Sequence, residues 1–209
     1  SSIQDDSERL LTAYRKVIKS TMLITFACML GLAAVAKPLI IILIGEQWLV
    51  AIHFLQIICF AGMLYPLHAI NLNMLQVKGR SDLFLKLEII KKIIAILPIT
   101  LGIFYGIEWM LLGSVITSFI AFFLNSHYSA DLIGYPTKRQ LMDVLPTFTV
   151  SFFVSTIMWM VSFIDISYFF LLPLQIFIGL ALAFLIYERL HLPEYLEVKQ
   201  MAFSLIKRN

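Results

Sequence analysis

Six long apolar segments follow one another along this chain of 209 residues, and its cations fall in every second gap between them or just inside the segment ends. Of the sixteen Lys and Arg residues, only Lys37 departs from that alternation. The gaps at 45–48, 106–108 and 165–167 hold no Lys or Arg at all. A helix of about 20 apolar residues crosses a hydrocarbon core of about 30 Å. Cationic loops stay on the cytoplasmic side, so the charge map gives orientation as well as span number. The pattern predicts an all-α polytopic membrane protein with six transmembrane helices and both termini in the cytoplasm. The runs are too long for barrel strands of about 10 residues, and they lack the alternation such strands need.

The expected spans run over about 17–44, 49–77, 82–105, 109–128, 141–164 and 168–187. Three regions follow from them: a cytoplasmic amphipathic connection at 1–16, a six-helix bundle at 17–190, and a cytoplasmic interfacial tail at 191–209. The first span would be about 42 Å long as one helix, more than the core needs, and Lys37-Pro38 should interrupt it. Ser81 or Asp82 reads as the N-cap of the third span. In the tail, Leu196, Met201, Phe203 and Leu205 among Lys199, Lys207 and Arg208 suggest a short helix lying on the inner surface.

Composition agrees with lipid as the solvent. Hydrophobic residues make up 60% of the chain, charged residues 14%, and mean hydropathy is +0.90. Soluble domains sit near roughly 45–50% apolar and about 25% charged. The net charge of +3 is no nucleic-acid signal, because the cations gather at bilayer edges and meet lipid headgroups there. Cys28 and Cys59 lie inside apolar segments without a CxxC spacing, and read as buried structural thiols. HExxH, GxSxG and P-loop patterns are absent, so the reading is not an enzyme and needs no cofactor. His53 and His68 have no acidic partner at ligand spacing, so no metal site is expected. The opening Ser1-Ser2-Ile3-Gln4-Asp5-Asp6 has no Met and no signal-peptide pattern, and suggests the C-terminal part of a longer protein.

Ionisable groups at membrane depth are costly and usually face protein or water. The third span carries Lys86, Glu88, Lys91 and Lys92, and only about 20 Å of helix separates Lys92 from the outer turn. Two readings are open. The lysines could snorkel toward the cytoplasm, with Glu88 paired to Lys92 at i,i+4. Alternatively they line a water-filled cavity for an anionic headgroup such as a phosphate or pyrophosphate. Lys91 and Lys92 lie about 100° apart on the helix, so one of them at most need face such a cavity. Lys37 reads either as an outer-interface lysine or as a vestibule residue. The second span holds His68, Asn71 and Gln76 on one stripe just after Pro66, which suits interhelical hydrogen bonding or a flexing point.

Several strings carry a resemblance. They are Ser2-Ile3-Gln4-Asp5-Asp6-Ser7-Glu8-Arg9-Leu10 with Ala13-Tyr14-Arg15-Lys16, and Ala36-Lys37-Pro38-Leu39-Ile40 leading to Gly45-Glu46-Gln47-Trp48. The run from Leu55-Gln56-Ile57 through Lys78-Gly79-Arg80-Ser81-Asp82 to Leu87-Glu88-Ile89-Ile90-Lys91-Lys92 continues it. In order and spacing these resemble the O-antigen and exopolysaccharide flippases of the multidrug/oligosaccharidyl-lipid/polysaccharide exporter superfamily, over residues 1 to about 134. The resemblance implies a two-lobe transporter of which this chain is the C-terminal part, working by alternating access in the bacterial inner membrane. It implies an undecaprenyl-pyrophosphate-linked oligosaccharide as substrate. The partners implied are membrane lipids, the missing N-terminal lobe of the same protein and the polysaccharide polymerase machinery. Nucleic acid is not among them. Lys37, Lys91 and Lys92 are the candidates to meet the pyrophosphate, supported by Pro66, His68, Asn71 and Glu88. The alternatives are a stand-alone six-helix small-molecule-binding transporter subunit, a helper subunit, or a membrane enzyme acting on a lipid-linked sugar. The enzyme would need close acidic or His pairs at one membrane depth, and none is evident.

Overall fold

A computed structural model describes residues 7–206 of the chain. The string Ser2 to Asp6 and the cations Lys207 and Arg208 lie outside the described residues, as do the side chains of 201–206. The described chain is all-α. Its ten helices are α1 (Ser7–Ala34), α2 (Ala36–Ile44), α3 (Val50–Gly62), α4 (Tyr65–Val77), α5 (Ser81–Ile94), α6 (Ile96–Tyr105), α7 (Ile107–Ile133), α8 (Thr137–Met160), α9 (Tyr168–Leu190) and α10 (Pro193–Ile206), with short 3₁₀ turns at Glu46–Trp48 and Val161–Phe163. Five stretches are long and apolar enough to cross a membrane: Glu8–Ala34, Val50–Val77, Ile107–Ile133, Thr137–Phe163 and Tyr168–Leu190. The chain is a multi-pass membrane protein. The segment expected as the third span is built differently. It is α5 and α6, parted at Ala95, and α5 carries the charged cluster.

Proline chemistry explains where the long segments divide. The ring lacks an N–H and crowds the carbonyl four residues earlier. Accordingly the helix breaks at Val35 ahead of Pro38, at Met63-Leu64 ahead of Pro66, and at Ala95 ahead of Pro98. Pro146 and Pro173, by contrast, stay inside unbroken α8 and α9. From residue 7 on, the expected amphipathic connection and the start of the first span form one continuous helix, α1. α5 begins at Ser81 itself, with Arg80 as N-cap and no side-chain capping bond, one residue earlier than the cap read from the sequence. Gly106 ends α6 and begins α7 at φ 94°, a left-handed conformation that glycine adopts without a Cβ penalty.

The helices sort into two compact units, 1–15 with 53–143 and 16–52 with 144–209. In the first, α7 packs against α4, α5 and α6. Leu72 and Leu75 of α4 and Leu87 of α5 form a small core beneath Leu124 and Tyr128 of α7. Gly113 lets α7 approach α6 closely, since a Cβ there would stand 3.0 Å from Pro98 Cα. In the second unit, α2 packs on α9, and Leu23, Val35, Val150, Val154, Met158 and Tyr187 share a core. α10 docks its first turn there. Glu194 is buried against Lys19 at 3.1 Å, and Tyr195 stacks on Tyr187 with centroids 5.6 Å apart.

Candidate functional site

The first unit contains two neighbouring cavities that share Tyr65, His68, Lys91 and Ala95. The more polar one, about 560 Å³, lies between α4 and α5 and is lined by Asn73, Glu88 and Lys92 besides the shared residues. The other, about 420 Å³, extends toward α3 and α7, where Ser114, Thr117 and Ser118 provide hydroxyls among small apolar residues. α5 supplies the charges because its helix turns Glu88, Lys91 and Lys92 toward α4. The loop before α5 is tied by a bidentate pair, Arg80 to Asp82, at 2.9 Å on both contacts. Lys86 leaves the group: its Nζ lies 5.9 Å from the Tyr128 ring centroid on α7.

Two sequence expectations change here. Lys91, not Lys92, pairs with Glu88, because on a helix i,i+3 neighbours compete with i,i+4 neighbours for the same partner. Both lysines also line the one cavity, although their Cα positions differ by about 100°. Long flexible stems allow two lysines at such different angles to contribute to one wall. Lys92 makes no ion pair among the described residues. His68 is almost wholly buried and lies edge-on to Tyr65, with centroids 4.9 Å apart. Asn125 of α7 donates to the His68 carbonyl at 2.9 Å, which fixes α4 against α7 at this depth. Pro66 occupies the first turn of α4, directly beyond the break.

Asn71 faces elsewhere. It is fully buried and exchanges two amide hydrogen bonds with Gln140, at 2.8 and 3.0 Å. Its Oδ1 also accepts from the Tyr14 hydroxyl at 2.9 Å and from Ser129. Beside this hub, Arg15 grips Asp143 with two contacts of 2.8 and 2.9 Å, and Tyr135 donates to the same carboxylate at 2.6 Å. Burial and the adjacent Asp143 push the Tyr135 phenol above its ordinary range, so it remains a donor. The sequence reading missed Arg15, Tyr135, Gln140 and Asp143. One signal was available: Asp143 is an acidic residue within an apolar run, and such a residue implies a partner.

Lys37 belongs to the second unit, where its Nζ lies 5.7 Å from the Tyr168 ring centroid. That unit has its own cavity of about 400 Å³ between α1, α8 and α9. It is largely apolar, with Ser151 and Tyr187 bonded to each other at 3.1 Å on its wall. Cys28 lines it and is exposed, contrary to the expectation of a buried thiol; Cys59 is buried. Among the described residues no group of three or more His, Cys, Asp or Glu could hold a metal ion.

Residues 1–53 match a family described as polysaccharide biosynthesis protein. An uncharacterized membrane protein in the cps region of Klebsiella pneumoniae is 27% identical over 154 residues, which is 73% of this chain and 31% of that protein. The lipopolysaccharide biosynthesis protein WzxC of Escherichia coli is 30% identical over 102 residues, covering 49% of this chain and 21% of WzxC. The teichuronic acid biosynthesis protein TuaB of Bacillus subtilis is 33% identical over 70 residues, covering 34% and 14%. The chain therefore spans less than a third of the length of these relatives. No solved structure matches it. The resemblance to membrane proteins of bacterial polysaccharide biosynthesis, read first from short strings, stands on these matches as well.

Proposed function

We propose that this chain is part of a flippase in bacterial polysaccharide biosynthesis, moving an undecaprenyl-pyrophosphate-linked oligosaccharide across the inner membrane. The role is transport and not catalysis. The named relatives support the biosynthetic setting. The observation that carries the reading is the cavity in which Lys91 and Lys92 converge between α4 and α5. Two ammonium groups at one opening, with Asn73 and His68 beside them, suit a doubly charged phosphate ester held by its oxygens. Near membrane depth such charges interact more strongly than in bulk water. Alternating access would then carry the bound headgroup from the inner to the outer leaflet.

The test is complementation of a flippase-deficient strain by the transporter carrying Lys91→Ala and Lys92→Ala together. Loss of two charge-assisted contacts should cut surface polymer by at least about tenfold, while the amount of protein in the membrane stays the same. Polymer export at the unsubstituted level would overturn the role of this cavity.

A further inference from the structure

The charged cavity contains its own anion. Glu88 holds Lys91, and both side chains are partly open, 34% and 20% exposed. Lys92 lines the same wall without an ion pair among the described residues. The three formal charges, two positive and one negative, leave one positive charge in excess. An incoming anion can meet Lys92 directly. To use Lys91 as well, it must take that ammonium from the Glu88 carboxylate. Once the anion holds both lysines, no third cation among the described residues lines the cavity to receive Glu88. The polar groups lining the cavity from α4 are His68, almost wholly buried, the Tyr65 phenol and the neutral Asn73 amide. Tyr128 of α7 is engaged by Lys86. The displaced carboxylate finds no replacement charge there and can turn to water, which its exposure permits.

We infer that Glu88 is an internal competitor for the ligand at Lys91, a release element that keeps anion binding in this cavity weak enough to reverse. This rests on the cavity reading above and adds a residue whose role there is to oppose binding. A site that must pass its ligand onward needs binding strong enough to admit it and weak enough to let it go. A carboxylate on the same helix provides that balance, because it reoccupies Lys91 as the ligand departs. The pair is part-exposed and spaced i,i+3, so it is modest in strength, and a ligand with two adjacent anionic groups can displace it.

The inference predicts an effect opposite to that of losing a structural ion pair. Glu88→Gln should tighten binding of inorganic pyrophosphate to the purified protein in lipid nanodiscs by about three- to tenfold, measured by titration calorimetry. It should also slow transport in the complemented strain, since release is impeded. Glu88→Asp keeps the charge but withdraws it by one methylene, and should give a smaller gain in affinity. In a Lys91→Gln background, Glu88→Gln should bring no comparable gain, because there is no longer an ammonium to compete for. If pyrophosphate binds the unsubstituted protein but Glu88→Gln binds it equally or less tightly, the competitor role is wrong. If the gain persists without Lys91, Glu88 acts only as a distant negative charge, and the inference again fails. If the unsubstituted protein does not bind pyrophosphate at all, the cavity reading itself falls and takes this inference with it.

Discussion

Asn71 shows how much one side chain can organise inside a membrane protein. Lipid does not drive helices together as water does, so packing and polar contacts between helices decide which of them associate. Asn71 of α4 bonds Gln140 of α8, Tyr14 of α1 and Ser129 of α7. Asn71→Ala leaves Gln140 without its reciprocal amide and the two hydroxyls without their shared acceptor. The expected loss is about 1–2 kcal/mol, read as a lower unfolding midpoint in detergent. An unchanged midpoint would mean that the partners re-pair among themselves. The sequence placed His68, Asn71 and Gln76 on one stripe; His68 and Asn71 are buried on α4, whereas Gln76 is exposed. It could not divide their duties, because residues fully 69 positions apart, as Asn71 and Gln140 are, leave no local periodic trace. The same limit applies to Glu88. Spacing suggested Lys92 as its partner, at i,i+4, whereas the pair that forms is with Lys91, at i,i+3.

At the level of elements, apolar run length carried most of the information. The runs that became α3–α4, α7, α8 and α9 stand out in the sequence because about 20 apolar residues have few folds open to them in lipid. The interruption expected at Pro38 occurs, and the helix also breaks just before Pro66 and Pro98. What local sequence did not separate is those three from Pro146 and Pro173, whose helices continue. Pro66 offers the clearest test. Restoring an N–H with Pro66→Ala lets residue 66 donate to the Gly62 carbonyl and continue α3 into α4. Amide exchange across 60–68 should slow by about fivefold, the effect of one additional hydrogen bond. Exchange that stays as fast would show that the packing of α4 on α7, and not the ring, sets the break.

For the whole molecule, the two units are discontinuous in sequence, each assembled from an early and a later stretch. Hydropathy reports that a segment is in lipid but not which neighbour it meets, so this sorting was not legible. The cation map does make a prediction about sidedness. In a background with Cys28 and Cys59 replaced by Ser, Asp165→Cys should react with an impermeant maleimide added to intact cells. Lys78→Cys should react only after the membrane is opened, because its gap is cationic and therefore cytoplasmic. The reverse pattern would invert the protein.

The pairing of Arg15 with Asp143 also has a consequence in time. The two residues are 128 positions apart. At about 5–20 residues per second, a ribosome delivers Asp143 roughly 6 to 25 s after Arg15. During that interval α1 is already made while its carboxylate partner does not yet exist. A newborn chain therefore carries the Arg15 guanidinium before its carboxylate partner, and the finished network of Tyr14, Arg15, Tyr135 and Asp143 can close only once Asp143 has been synthesised.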